Sequence, residues 1–294
     1  MNKPLVEKIS REAQLTLDAS TIFQGDAITV LRRLPSGSVK CVVTSPPYWG
    51  LRDYGIDDQI GLELTMPQFI QKLVTVFAEV RRVLTDDGTL WVNIGDGYTS
   101  GNRGYRATDK KNPARAMTVR PDTPEGLKPK DLMGIPWRLA FALQDDGWYL
   151  RTDIIWNKPN AMPESVKDRP NRSHEFLFMF SKSEKYFYNS DAVKQAADGG
   201  GLRNLRTVWN INTKPYAGAH FATFPPELIR PCIKASTLPG DFVLDPFFGA
   251  GTVGLVCNEE GRNYAGVELN PAYVELAVER LGGIFNNVIK VAAA

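Results

Sequence analysis

Cysteine, histidine, net charge and long apolar runs are all scarce in this chain of 294 residues, and each scarcity excludes something. The three cysteines, Cys41, Cys232 and Cys257, lie far apart and form neither a disulfide framework nor a metal-spaced cluster. With two histidines, His174 and His220, no metal site is expected. No run approaches the roughly 18 apolar residues that a membrane span needs. The opening Met1-Asn2-Lys3-Pro4 lacks the apolar core of a secretory signal, so a reducing, cytoplasmic setting is expected. A net charge of +2 is too small to announce a nucleic-acid partner, and any basic surface has to be local. At 43% hydrophobic and 23% charged residues, the composition is that of an ordinary globular protein.

What is present reads as alternating strands and helices. Thr21–Phe23 is a short strand candidate, followed by a helix over Ala27–Leu34 and a buried strand over Val39–Val43. Thr65 and Gln68 form a capping box, and Phe69, Ile70, Leu73, Phe77, Val80 and Leu84 recur at helical spacing. Asp86-Asp87-Gly88 is expected to end that helix before a strand over Thr89–Ile94. Further on, Asp131–Asp146 reads as helix, and Tyr149–Trp156, Glu175–Ser181 and Tyr186–Tyr188 read as strands. In the last third, a helix runs from the Phe224-Pro225-Pro226 segment through Ala235, and Asp241–Leu244 is a strand. Thr252–Glu260 is then helical, Tyr264–Val267 forms a strand, and a final helix is capped by Asn270, with Gly282 past its end. Such alternation implies an α/β fold with a mostly parallel sheet covered on both faces.

Two strand ends carry chemistry. After Val43 the chain reads Thr44-Ser45-Pro46-Pro47-Tyr48-Trp49. Two prolines remove two backbone donors and fix two φ angles, so neither helix nor sheet can continue. A stiff loop remains, with one hydroxyl, freed carbonyls and two large rings, suited to a flat ring bearing an amino group. A rigid strand exit with buried aromatics is the alternative. The second strand end is Asp245-Pro246-Phe247-Phe248-Gly249-Ala250-Gly251-Thr252. Gly249 and Gly251 allow close backbone approach, and Glu268 ends the next strand, where it can accept hydrogen bonds from two ribose hydroxyls. Gly249 to Gly254 matches G-x-G-x-x-G, which brings a nicotinamide cofactor into consideration. Against it, Asp245 would repel a pyrophosphate and suits a cationic or zwitterionic ligand, and too little chain follows to complete a dinucleotide half. S-adenosyl-L-methionine, with its ammonium, positive sulfur and lack of phosphate, fits: Asp245 would serve the ammonium, Glu268 the ribose and Asp26 the adenine amino group.

With these motifs in order, the chain resembles the amino-group DNA methyltransferases, which act on cytosine N4 or adenine N6, and in particular their beta class. The resemblance runs from Thr21 to Leu281. It rests on Ser45-Pro46-Pro47-Tyr48 for the catalytic signature, Asp245–Thr252 for the cofactor signature, and Phe224-Pro225-Pro226-Glu227-Leu228 for the segment before the cofactor strand. It implies a Rossmann-like S-adenosylmethionine-dependent methyltransferase fold, mostly parallel with an antiparallel hairpin and circularly permuted. It further implies that Ser45 and the Pro46 carbonyl accept the two amino protons while Tyr48 stacks on a base flipped from the duplex. Around the cofactor it places Asp26, Ser45, His220, Phe224, Pro225, Asp245, Pro246, Phe247, Gly249, Gly251, Thr252, Glu268, Leu269 and Asn270. Phe248 departs from the pattern, which commonly has glycine there. Pro231-Cys232 matches the nucleophile of carbon-5 cytosine methyltransferases in letters alone; within a helix, Cys232 is expected to be a packed thiol.

Serine in the first catalytic position favours cytosine N4 within the family, where aspartate favours adenine N6. The expected partner is double-stranded DNA, with neither membrane nor metal; a second copy of the chain and a cognate restriction endonuclease are partners the resemblance allows. One catalytic domain over 1–294 is expected, with DNA-recognition insertions at about 98–130, 157–174 and 192–219. The first holds eight cations against three acids, a net of +5, which suits a phosphate backbone but also a solvated loop. Arg103, Arg106, Lys110, Lys111, Arg115, Lys158, Arg169 and Arg172 are the candidate DNA contacts.

Overall fold

The computed structural model describes residues 5–8, 13–100, 121–214, 223–285 and 290–293. Their elements, in chain order, are β1 (Leu5–Lys8), β2 (Thr21–Gln24), α1 (Ala27–Arg33), β3 (Val39–Thr44), α2 (Met66–Val83), β4 (Leu84–Ile94) and α3 (Ile135–Asp145). There follow β5 (Tyr149–Asn157), β6 (His174–Ser181), β7 (Gln195–Ala196), β8 (Leu202–Arg203), β9 (Val208–Asn210) and α4 (Pro226–Ser236). The chain closes with β10 (Phe242–Asp245), α5 (Thr252–Glu259), β11 (Asn263–Glu268), α6 (Pro271–Phe285) and β12 (Lys290–Ala293). No described helix is long and apolar enough to cross a membrane.

Ten strands form one sheet in the order β1-β12-β2-β11-β10-β3-β4-β6-β5-β9. All neighbours are parallel except at β6, which runs against both β4 and β5. The late strands β10 and β11 lie between the early strands β2 and β3, with Val243 beside Cys41 and Leu244 beside Val42. The strand before the glycine turn is therefore next to the strand before Ser45. Alternating side chains of β3 serve the two faces: Val42 joins the layer of α1, α2 and α3, and Cys41 and Val43 join that of α4, α5 and α6. Burial of α2's apolar stripe, with Phe69, Leu73, Phe77 and Val80 fully enclosed, gives that layer its centre. The capping box at Thr65 and Gln68 is formed.

Several elements differ from the sequence expectation. Asp86-Asp87-Gly88 does end α2's neighbourhood but belongs to β4, which begins at Leu84 and rejoins β3 across a bulge between Val39 and Cys41. Lys40 pairs with Asp87, and Lys182 with Asp86 at 3.1 Å, while the Ser183 hydroxyl donates to the Asp86 carbonyl at 2.6 Å. Tyr186–Tyr188 is irregular, not a strand; the Phe187 amide donates to the Asp87 carbonyl at 3.0 Å. The last helix runs through Gly282 to Phe285, and the edge strands β1 and β9, with β12 next to the edge, lacked a pattern strong enough to announce them.

Candidate active site

Strands β2, β3, β4, β10 and β11 all point their carboxyl ends at one cavity of about 1120 Å³. Ser45, Pro46, Pro47 and Tyr48 line it from β3, Asp245, Pro246, Phe247 and Gly249 from β10, and Glu268, Leu269 and Asn270 from β11. Asp26, Phe224 and Thr252 complete the expected set there. Pro225 is buried at the N-cap of α4 and lies off the lining, and Gly251 stands just behind it as the left-handed N-cap of α5, with φ +76°. His220 falls outside the described residues, as do Arg103, Arg106, Lys110, Lys111 and Arg115.

The two strand ends are tied together directly. Thr44 Oγ1 donates to Asp245 Oδ1 at 2.6 Å, 201 residues away and fully enclosed, and the Phe247 amide donates to the same oxygen at 3.0 Å. Burial pushes the Asp245 carboxyl up to about 7, against the lowering effect of those two bonds. Across the turn, Glu268 accepts from the Gly249 amide through Oε2 and from the Asn270 amide through Oε1, both at 2.8 Å. Burial raises its carboxyl above the usual range as well. Asp26 caps α1, accepting from the Thr29 amide and hydroxyl at 2.9 Å each.

These bonds decide between phosphate and nucleoside. The amides of Phe247, Phe248, Gly249 and Gly251 already donate to Asp245, the Val267 carbonyl, Glu268 and the Phe248 carbonyl. With two of its amides bonded to carboxylates, the turn presents negative charge where a pyrophosphate would sit. It offers a cation one acid and a diol another. The residues thus fit S-adenosyl-L-methionine.

Phe248 points inward, stacked on Tyr264 at 5.6 Å between centroids and seated over Gly266. A Cβ at Gly266 would lie 2.4 Å from the Phe248 ring, and one at Gly254 would lie 2.9 Å from it. The third glycine of the G-x-G-x-x-G match is therefore room for Phe248. Gly266→Ala is expected to cost about 1–3 kcal/mol of stability by overpacking, read as a lowered urea midpoint with unchanged slope.

On the catalytic side, Trp49 is core: it is buried and its Nε1 donates to the Glu63 carbonyl at 2.9 Å. Tyr48 faces the cavity and donates its hydroxyl to Glu175 Oε2 at 2.8 Å. Glu175 also accepts from Asn93 Nδ2 at 3.2 Å and pairs with Lys158. Neither Glu175 nor Asn93 carried a sequence signal, because 127 and 45 residues separate them from Tyr48 and no motif names them. Lys158 and Arg172 line the cavity, each opposed by an acid: Glu175 for the first, Asp96 at 3.8 Å for the second. Arg169 pairs with Glu164 at 2.6 Å and lies 3.8 Å over the Tyr98 ring. Arg52, Tyr54 and Tyr273, also unforeseen, close the cofactor end, the two rings meeting edge to face at 6.0 Å. Cys232 is fully buried with its thiol on the Leu228 carbonyl, and burial raises its pKa well above that of a free thiol; it is no nucleophile. Among the described residues no cluster of three metal-ligating side chains occurs.

A mostly parallel α/β sheet, a nucleoside-type turn and a hydroxyl–proline–aromatic loop in one cavity suit an enzyme that transfers a methyl group to an amino group. Known proteins agree. The family described as DNA methylase, of the N6 and N4 type, matches residues 39–279. The chain is 79% identical over 289 residues to the type II methyltransferase M.XycI of Xanthomonas campestris pv. cyanopsidis, covering 98% of this chain and 96% of that one. It is 76% identical to M.Cfr9I of Citrobacter freundii over the same shares of both. Among solved structures, the PvuII cytosine-N4-specific DNA methyltransferase shares the fold, with a TM-score of 0.68, 22% identity, and 94% and 96% of the two chains covered. A putative DNA modification methylase of Thermus thermophilus, solved with S-adenosyl-L-methionine, gives a TM-score of 0.64 at 25% identity, covering 94% and 98%. The chain belongs to the N6/N4 DNA methylase family and is a DNA methyltransferase. Its methyl donor is S-adenosyl-L-methionine.

Proposed function

We propose that this enzyme methylates the exocyclic N4 amino group of cytosine in double-stranded DNA, as the modification partner of a type II restriction system. One observation carries the reading: a neutral hydroxyl, Ser45, stands on the cavity wall at the first position of the catalytic loop, where adenine-directed relatives favour a carboxylate. The type II names of the relatives support the biological setting.

A cytosine amino nitrogen is a poor nucleophile because its lone pair is delocalised into the ring. Ser45 Oγ and the Pro46 carbonyl accept hydrogen bonds from its two N–H groups, which draws the nitrogen toward tetrahedral geometry and localises the lone pair. Tyr48 stacks on the flipped base, whose extrusion costs a few kcal/mol. Asp245 holds the cofactor ammonium, Glu268 the ribose hydroxyls, and Asp26 the adenine edge. When bound, the cofactor supplies a methyl group activated by positive sulfur. The remaining rate enhancement is positional. DNA is engaged by the segments at about 98–130, 157–174 and 192–219; Lys158, Arg172 and Lys214, from the second and third of these, line the cavity.

Nucleoside mass spectrometry after incubation with unmethylated duplex DNA tests this. N4-methylcytosine is the expected product. N6-methyladenine would overturn the base assignment, and absence of any methylated nucleoside would overturn the whole reading.

A further inference from the structure

One carboxylate gathers three elements onto the catalytic loop, and no catalytic motif includes it. Glu175 opens the interior of β6, opposite Trp156 of β5 and beside the end of β4. Its Oε2 accepts from Tyr48 Oη at 2.8 Å and from Asn93 Nδ2 at 3.2 Å, and its Oε1 takes the Lys158 ammonium. Asn93 is itself fixed by donating to the Phe176 carbonyl at 3.0 Å, and Lys158 sits 4.2 Å over the Trp156 ring. The ring of Tyr48 and the Glu175 stem both press on Gly95, where a Cβ would lie 2.9 Å from Tyr48 Cε2 and 3.2 Å from Glu175 Cγ. The glycine leaves room for this pair to close. The Lys158 charge offsets the cost of holding a carboxylate at 19% side-chain exposure.

We propose that Glu175 is a positioning residue for methyl transfer, fixing the Tyr48 ring at the angle in which it stacks on the target base. The inference rests on the reading in which Tyr48 stacks on the flipped base. A phenol has one proton, and here that proton is committed to Glu175. Glu175 is in turn held by Asn93 and Lys158, so the far end of the ring is tied to β4 and to the end of β5. The near end is carried by the stiff proline loop. A ring fixed at both ends meets the base already oriented. Without Glu175 the ring keeps its packing against Gly95 and loses the tether.

A double-mutant cycle on kcat, with total radiolabel transferred to DNA as the readout, tests the coupling. Glu175→Ala is expected to lower kcat about 30-fold while cofactor affinity, by calorimetry, changes by less than about twofold. Glu175→Gln retains an acceptor for the phenol and is expected within about fivefold of wild type. Tyr48→Phe keeps the stacking ring and removes the proton in question; in that background Glu175→Ala is expected to cost less than about twofold more. Additive losses, equal losses for Glu175→Ala and Glu175→Gln, or a parallel fall in cofactor affinity would overturn the proposal. Should circular dichroism show Glu175→Ala unfolded, the same cycle with Glu175→Leu, which keeps the bulk and offers the phenol no acceptor, decides, additivity again counting against it. Label reaching either amino base serves the cycle. A wild type that labels no DNA would instead sink the functional reading.

Discussion

Ser45→Ala lowers kcat by about 10- to 150-fold, with cofactor affinity changed by less than about threefold, as expected for one hydrogen bond to a centre gaining charge, about 1.5–3 kcal/mol. The asymmetry between the two quantities is the content of the prediction. As the amino nitrogen commits its lone pair it gains positive charge, so a hydrogen bond from it to Ser45 is stronger in the transition state than in the ground state. Binding that appears only there is lost from kcat and not from KM. The cofactor's polar groups face Asp245 and Glu268, whose bonds to Thr44, Phe247, Gly249 and Asn270 do not pass through the Ser45 hydroxyl. Single-turnover label transfer with saturating DNA and cofactor, beside calorimetric titration of the cofactor, separates the two. A matched fall in both would show that Ser45 holds the loop's shape and not the substrate.

The parts of this site that the sequence displays are those made by punctuation. Proline after Ser45 and proline after Asp245 stop a strand by their own backbone chemistry, so both cavity walls are visible before any contact is known. The α2 capping box and its apolar spacing are equally local. What stays hidden is decided across the sheet. Acidic Asp86 and Asp87 read as a turn and lie in a strand whose carbonyls take hydrogen bonds from Ser183 and Phe187, about 100 residues on. Strand β9 contributes three residues at an edge, with Val208 exposed and no alternation to betray it, yet its pairing with β5 helps seat Trp156 on the cavity. Phe248 looks like an intrusion into the cofactor turn until Gly254 and Gly266 are seen to make space beneath it. Glu175 is the extreme case: a single acid at a strand start, meaningful only once β4, β5 and the catalytic loop surround it.

Cofactor affinity is expected to fall about tenfold for each pH unit below 7, because Asp245, whose carboxyl burial pushes up to about 7, must ionise to receive an ammonium. The sign for stability runs the opposite way. Asp245 has a folded pKa raised above its unfolded value, so its contribution to ligand-free stability is fully present below about pH 4 and is lost as pH rises through about 7. The cofactor reverses this, since the charge that weakens the empty fold is the charge it binds. Melting curves with and without cofactor between about pH 5.5 and 7 should therefore diverge as pH rises, the stabilisation by ligand growing with its affinity. Asp245→Asn is expected to weaken the cofactor by about 3–5 kcal/mol, as for a buried ion pair stripped of one partner, and to flatten the pH profile. Thr44→Val removes the 2.6 Å bond that favours the ionised form, so its binding profile should shift to higher pH, while Thr44→Ser should keep the wild-type midpoint. An Asp245→Asn profile as steep as the wild type would place the titration elsewhere, and Glu268, buried and raised in the same cavity, is then the carboxylate to substitute next.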